Sequence, residues 1–91
     1  MALFNVSYDL NRPGQNYDGL IKALEAYGMN GRRILKSTWL IHTTETAEAL
    51  FDRMRPFLDA SDRVLIARMI RPYQGWLTEE DWAWIRARID T

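Results

Sequence analysis

The segment RRILKSTWLIHT, residues 32–43, constrains the fold more than any other part of the chain. Its residues alternate at the strand period. Leu35, Ser37, Trp39 and Ile41 fall on one side, and Ile34, Lys36, Thr38, Leu40 and His42 on the other. It runs for about twelve residues, twice the usual strand of about five or six. A bend or bulge near Lys36-Ser37 is therefore expected, dividing it into two short strands.

The flanks are read the same way. In residues 2–9, Phe4, Val6 and Tyr8 point one way and Leu3, Asn5, Ser7 and Asp9 the other, which is a strand with one dry face. Asn11-Arg12-Pro13-Gly14 is a turn. Asn16 is placed to cap a helix carrying Tyr17, Leu20, Ile21, Leu24 and Tyr27 on one stripe, and Gly28 to stop it in the left-handed conformation. Thr44 is the expected cap of a second helix, with Ala47, Leu50, Phe51, Met54, Phe57 and Leu58 as its apolar stripe. Pro56 should distort its last turn. After a turn at residues 59–62, VLIARMI (64–70) is apolar at nearly every position. That pattern suits a strand buried on both faces, or a central one. Thr78-Glu79-Glu80-Asp81 has the spacing of a capping box. The helix it starts buries Trp82, Ile85 and Ile89. Trp84 lies about 200° from Trp82, outside that stripe.

The order is therefore βαββαβ with a further C-terminal helix, a ferredoxin-like α+β sandwich. Residues 1–91 form one domain, with a Trp-rich helical extension over 76–90. Phe4, Val6, Tyr8, Leu35, Trp39 and Ile41 should face the helices. Asn5, Ser7, Asp9, Lys36, Thr38 and Arg68 should line an open, half-polar face. A chain of 91 residues has a thin core. Docking a second copy on that face would bury more surface, so a homodimer is expected.

Composition narrows the function classes. The chain has no cysteine, so there is no disulfide framework and no thiolate chemistry. No apolar run reaches the ~18 residues of a membrane span, and the first residues lack a basic leader, so a cytoplasmic protein without a membrane partner is expected. Twelve basic and twelve acidic residues cancel, so net charge shows no dominant nucleic-acid footprint. A local patch is still available: Arg12, Arg32, Arg33 and Lys36 would bind phosphate, or form an ordinary solvated surface. His42, the lone histidine, reads as a general acid or base, or as a surface imidazole at a strand end. Tyr73, Trp76, Trp82 and Trp84 would stack bases, or pack the last helix on the domain. Trp84 is assigned to a protein–protein contact, together with Asn5, Ser7, Thr38 and Arg68.

Val6-Ser7-Tyr8-Asp9, followed after a helix by Gly31-Arg32-Arg33-Ile34-Leu35-Lys36-Ser37-Thr38-Trp39, resembles the CRISPR-associated Cas two family over roughly residues 2–70. Ser7 to Asn11, Ser37 to Leu40 and Gly75 to Leu77 make the whole chain similar to small SinR-like bacterial proteins. The resemblance implies a ferredoxin-like homodimer. In nuclease members, an aspartate at the end of the first strand binds a divalent metal at the dimer interface. Asp9 holds that position, so it would be the catalytic and metal-binding residue, with Mg²⁺ the implied ion. In other members the fold is a structural bridge between duplex DNA and another protein. The chain differs from the family in its Trp-rich C-terminal helix and in its electroneutrality. Read without the resemblance, Asp9 caps the turn that follows it. The expected function is a non-catalytic binding or assembly module in a prokaryotic or phage setting, needing no cofactor. The alternative is a metal-dependent endonuclease acting on RNA or DNA through paired Asp9.

Overall fold

The strand-period segments all join one sheet in the computed structural model, which describes residues 1–11 and 17–90. The strands are β1 (Ala2–Asp9), β2 (Gly31–Leu35), β3 (Thr38–Thr43) and β4 (Arg63–Arg68), antiparallel in the order β2-β3-β1-β4. The helices are α1 (Asp18–Glu25), α2 (Ala47–Met54) and α3 (Glu79–Arg86). This is a small α+β fold with a four-stranded antiparallel sheet. Among the described residues, no helix is long and apolar enough to cross a membrane.

The long central segment breaks where its length requires. Lys36-Ser37 is the turn of the β2–β3 hairpin, and the register shifts between Arg33 and Leu35. Arg33 lies opposite Trp39, but beyond the shift Leu35 lies opposite Thr38. Residues directly opposite in a ladder share a face. The shift therefore moves Leu35 off the helix-facing side expected for it, and leaves it 55% exposed.

Local signals set the helix ends. α1 ends at Glu25 with Ala26 as its C-cap, before the expected stop at Gly28, which takes the expected left-handed conformation at φ +60° and opens a 3-10 turn, Gly28–Asn30. The cap of α2 is Thr46, whose Oγ1 accepts from the Ala49 amide at 3.1 Å, two residues after the expected Thr44. Pro56 turns the end of α2 into a 3-10 turn, Arg55–Phe57. The expected cap Asn16 and most of the turn Asn11-Arg12-Pro13-Gly14 lie outside the described residues. Gly19 lets α1 approach closely, since a Cβ there would stand 2.5 Å from the Phe57 ring.

On one face, α1 and α2 cover Phe4, Val6 and Tyr8 of β1 and Trp39 and Ile41 of β3, burying Leu20, Leu24, Leu50 and Met54. Each such side chain contributes about 1.5–3 kcal/mol by leaving water. The Trp39 indole N–H donates to the Tyr8 hydroxyl at 3.2 Å, so burial orphans neither group.

The other face is not bare. Leu3 and Leu40 lie on it beside polar neighbours, Leu3 opposite His42 and Leu40 opposite Asn5. α3 folds back beneath them, and Leu3, Leu40 and Ile85 form a second buried core flanked by Ile34, Met69, Tyr73 and Trp82. His42 is 7% exposed here, not the surface imidazole expected at a strand end. Trp84 is not left outside its helix's packing: its indole N–H donates to the Met29 carbonyl at 3.0 Å and the Arg88 guanidinium stacks 4.2 Å from its ring. β4 is an edge strand rather than a central one, so the second side of its apolar run, Leu65, stands in solvent. Arg68 lies opposite Phe4, which puts it on the helix-bearing side and not on the open face expected for it.

Polar contacts pin α3. Thr78 caps it, accepting from the Asp81 amide at 3.1 Å, as the capping-box spacing requires. Arg32 Nε–H donates to Asp81 Oδ1 at 2.7 Å, and Arg71 pairs with Asp90 at 2.8 Å. The Arg32 bond, helped by Thr78 and opposed by burial, holds the Asp81 carboxyl below its ordinary value. A carboxyl lowered on folding adds stability that is complete above its unfolded value, near pH 4, and is lost as the pH falls through the folded value. Wild-type Tm should therefore drop across that acid window. Arg32→Gln should flatten the drop, as read by thermal melts at stepped pH.

Candidate functional site

The half of the lower face that α3 leaves uncovered is the candidate site. Register builds it as rows across the strands. Leu65, Ser7 and Thr38 form one row, and Leu35 follows Thr38 on β2. Arg63 and Asp9 form the next row, at the rim. Leu65 is 70% exposed. The Ser7 hydroxyl donates to Asn5 Oδ1 at 2.7 Å and lies 3.2 Å from Thr38 Oγ1. Three of the expected interface residues, Asn5, Ser7 and Thr38, are thus joined in one hydrogen-bonded strip, while Arg68 and Trp84 stand elsewhere.

Two hollows share Thr38. One of about 370 Å³ lies between Ser7, Asp9, Thr38, Arg63 and Leu65. The other, about 310 Å³, runs under Asn5, Leu35 and Leu40 to the loop before α3. Trp76 stands on that loop, 99% exposed. Sequence reasoning chose Trp84 as the unpacked tryptophan and missed Trp76. The signal available was position: Trp76 precedes the Thr78 cap, so no helical stripe carries it.

Asp9 ends β1 with its carboxylate exposed and Arg63 opposite in register. It does not cap the turn after it by the Asn11 amide, which donates instead to Asp62 Oδ1 at 2.9 Å. Asp62 is 8% exposed and also accepts from the Tyr17 hydroxyl at 2.6 Å and the Asp59 amide at 3.1 Å. The turn motif at residues 59–62 held this residue without marking it as buried. Within one chain, Asp9 is the single carboxylate among the described residues lining its hollow, beside Arg63, whose Nη1 donates to the Ala60 and Asp62 carbonyls at 2.8 and 3.0 Å, a sparse donor set for a dication that prefers several hard oxygens. Among the described residues, no group of three or more His, Cys, Asp or Glu side chains could hold a metal ion.

The expected phosphate patch is divided. Arg32 lies opposite Leu40, on the lower face, and is engaged by Asp81. Arg33 lies opposite Trp39 and bonds the Lys36 carbonyl at 2.9 Å, across the hairpin turn. Lys36 is exposed at that turn, and Arg12 lies outside the described residues. Strand alternation, which sends neighbouring residues to opposite faces, is what separates Arg32 from Arg33.

A further polar cluster ties the turn after α1, through Tyr27, to α2, through Arg53 and the preceding Glu45. Glu45 accepts from the Tyr27 hydroxyl at 2.7 Å and from Arg53 Nε–H at 2.7 Å. Burial, then the Glu45 carboxylate, pushes the Tyr27 hydroxyl far above its ordinary value. The Tyr27 bond in turn lowers Glu45. Both groups are held in single protonation states across neutral pH, which suits a clamp between elements rather than proton transfer.

The sheet's lower face, half closed by the chain's own tail and half open around Leu65, Ser7 and Thr38, is the feature to explain; no family model matches the chain, and no curated protein matches it.

Proposed function

We propose that this chain is a ferredoxin-like, non-catalytic assembly module, similar to Cas two-like and SinR-like proteins, that works as a homodimer through the open half of its sheet. Support for the ferredoxin-like reading comes from the element order β1-α1-β2-β3-α2-β4-α3 and the strand order β2-β3-β1-β4. The observation that carries the dimer is Leu65: a large apolar side chain in mid-strand, exposed, beside a strip whose polar groups already satisfy one another. Asp9 and Arg63 beside it are self-complementary. A two-fold axis through this face would bring each carboxylate toward the partner's guanidinium, whose Nη1 within one chain donates to the Ala60 and Asp62 carbonyls, and a chain of zero net charge does not repel its copy.

Sedimentation at micromolar concentration should give about twice the monomer mass, and Leu65→Glu should weaken the dimer by about thirtyfold or more. A wild-type monomer at that concentration would sink this reading. The same two-fold pairing is what a nuclease reading through Asp9 needs. Incubation of RNA and DNA with Mg²⁺ or Mn²⁺ separates the two. Cleavage that disappears in Asp9→Ala would replace the assembly module with an enzyme.

A further inference from the structure

A second surface lies on the opposite side of β4 and does not depend on the dimer. β4 is an edge strand. The Met69 amide donates to the Leu3 carbonyl at 2.8 Å, just past the Phe4–Arg68 pair, and this sets the phase of the ladder. Hydrogen-bonded and non-bonded pairs alternate, so Leu65 and Ala67 bond to β1. Val64, Ile66 and Arg68 turn their amides and carbonyls outward to the free edge.

The side chains of Val64 and Ile66 point to the helix-bearing face, opposite Tyr8 and Val6. There they form the floor of a groove of about 500 Å³ whose wall is α2, through Glu48, Phe51 and Asp52. One strand segment thus offers unpaired backbone and an apolar floor at the same residues. Proteins guard free edges with charges, prolines or bulges. The other edge strand, β2, has both a bulge and two arginines. The middle of β4, Val64-Leu65-Ile66-Ala67, has no charge, no proline and no register shift.

We infer that the groove between β4 and α2 binds an extended peptide segment of another protein, which adds a strand antiparallel to β4. Charge selects the segment. Glu48, Asp52 and Arg55 all line the groove; Asp52 is paired with Arg55 at 3.3 Å, which leaves Glu48 as the carboxylate there without an ion pair among the described residues. The fitting segment places a lysine or arginine opposite Ile66, its stem on the apolar floor and its charge at Glu48, and a small apolar residue opposite Val64.

The test uses the full chain and a fluorescein-tagged peptide Thr-Thr-Thr-Lys-Thr-Val-Thr. Anisotropy should rise to saturation, and hydrogen exchange should slow at the Val64, Ile66 and Arg68 amides but not at Leu65 or Ala67. Glu48→Lys, an exposed substitution, should weaken binding roughly fivefold to tenfold. A peptide with glutamate in place of its lysine should recover that loss on the variant and bind the wild type poorly. The inference is overturned by absence of binding up to roughly millimolar peptide, or by equal binding of both peptides to both proteins. It is equally overturned if those amides are already protected in the free protein and lose protection on dilution, which would assign the edge to a second copy.

Discussion

Ile85→Ala should remove about 3 kcal/mol of stability and lower Tm by roughly 12–24 °C. Ile85 is wholly buried between α3 and the lower face of the sheet, against Leu3 and Leu40. Truncating it loses the transfer free energy of the deleted carbons and leaves a cavity beneath the sheet, because neighbouring strands are hydrogen-bonded in place and cannot collapse into it. A helix merely resting on the domain would respond otherwise, with a change within about 0.5 kcal/mol. Ala83→Ser, on the exposed side of the same helix, should stay within that limit and serves as the control. Thermal melts of the two variants therefore measure whether the C-terminal segment is part of the fold. A small effect of Ile85→Ala would mean that the second core is not formed in solution.

Asp62→Ala should cost a comparable amount, about 3 kcal/mol. Its carboxylate receives the Asn11 amide, the Tyr17 hydroxyl and the Asp59 amide, so it ties the end of β1 and the start of α1 to the loop before β4. Removing it takes the charged acceptor from three donors at once in a part-buried site. Asp62→Asn keeps one accepting oxygen and should lose about half as much, and Tyr17→Phe about 1 kcal/mol. Urea denaturation resolves all three. The contrast with Asp9 is direct: Asp9→Ala, at an exposed strand end, should change the stability of the single chain, measured at a concentration below dimerisation, by no more than about 0.5 kcal/mol. Two aspartates in turn-like contexts thus differ several-fold in stability because only one is enclosed.

Periodicity made the sheet readable. The alternation of Phe4, Val6 and Tyr8 against Leu3, Asn5 and Ser7 survives as two faces of β1, and the excess length of residues 32–43 located the β2–β3 turn. What periodicity does not carry is the phase across a bulge. One irregularity between Arg33 and Leu35 reversed the side taken by Leu35, and nothing in RRIL marks it. The double-sided apolar pattern of residues 64–70 is also ambiguous by nature. It describes a strand with apolar side chains both ways, without saying that two layers cover it. In β4 one layer is α2, and Leu65 is left in water.

The candidate site was legible in part for the same reason. Asn5, Ser7 and Thr38 are on the open face because strand alternation puts them there. Arg68 is not, because the register of β4 against β1 depends on pairing partners far apart in the chain. Trp84 and Trp76 exchanged roles through tertiary packing. The helical wheel places Trp84 off the main stripe, yet the Met29 carbonyl and the Arg88 guanidinium stand where its ring arrives. Helix geometry alone cannot contain a neighbour supplied by residue 29.

The central position of β1 has a consequence for how the molecule is made. The strand synthesised first lies between β3 and β4, and its pairing to β4 joins Phe4 to Arg68. On the ribosome, β1 therefore waits with one side unsatisfied until residues 63–68 have emerged. Contacts this distant in sequence slow folding. A nascent chain stalled before residue 63 would present an apolar ribbon ready to pair with any neighbour, so chains that end before β4 should aggregate where those that include it do not.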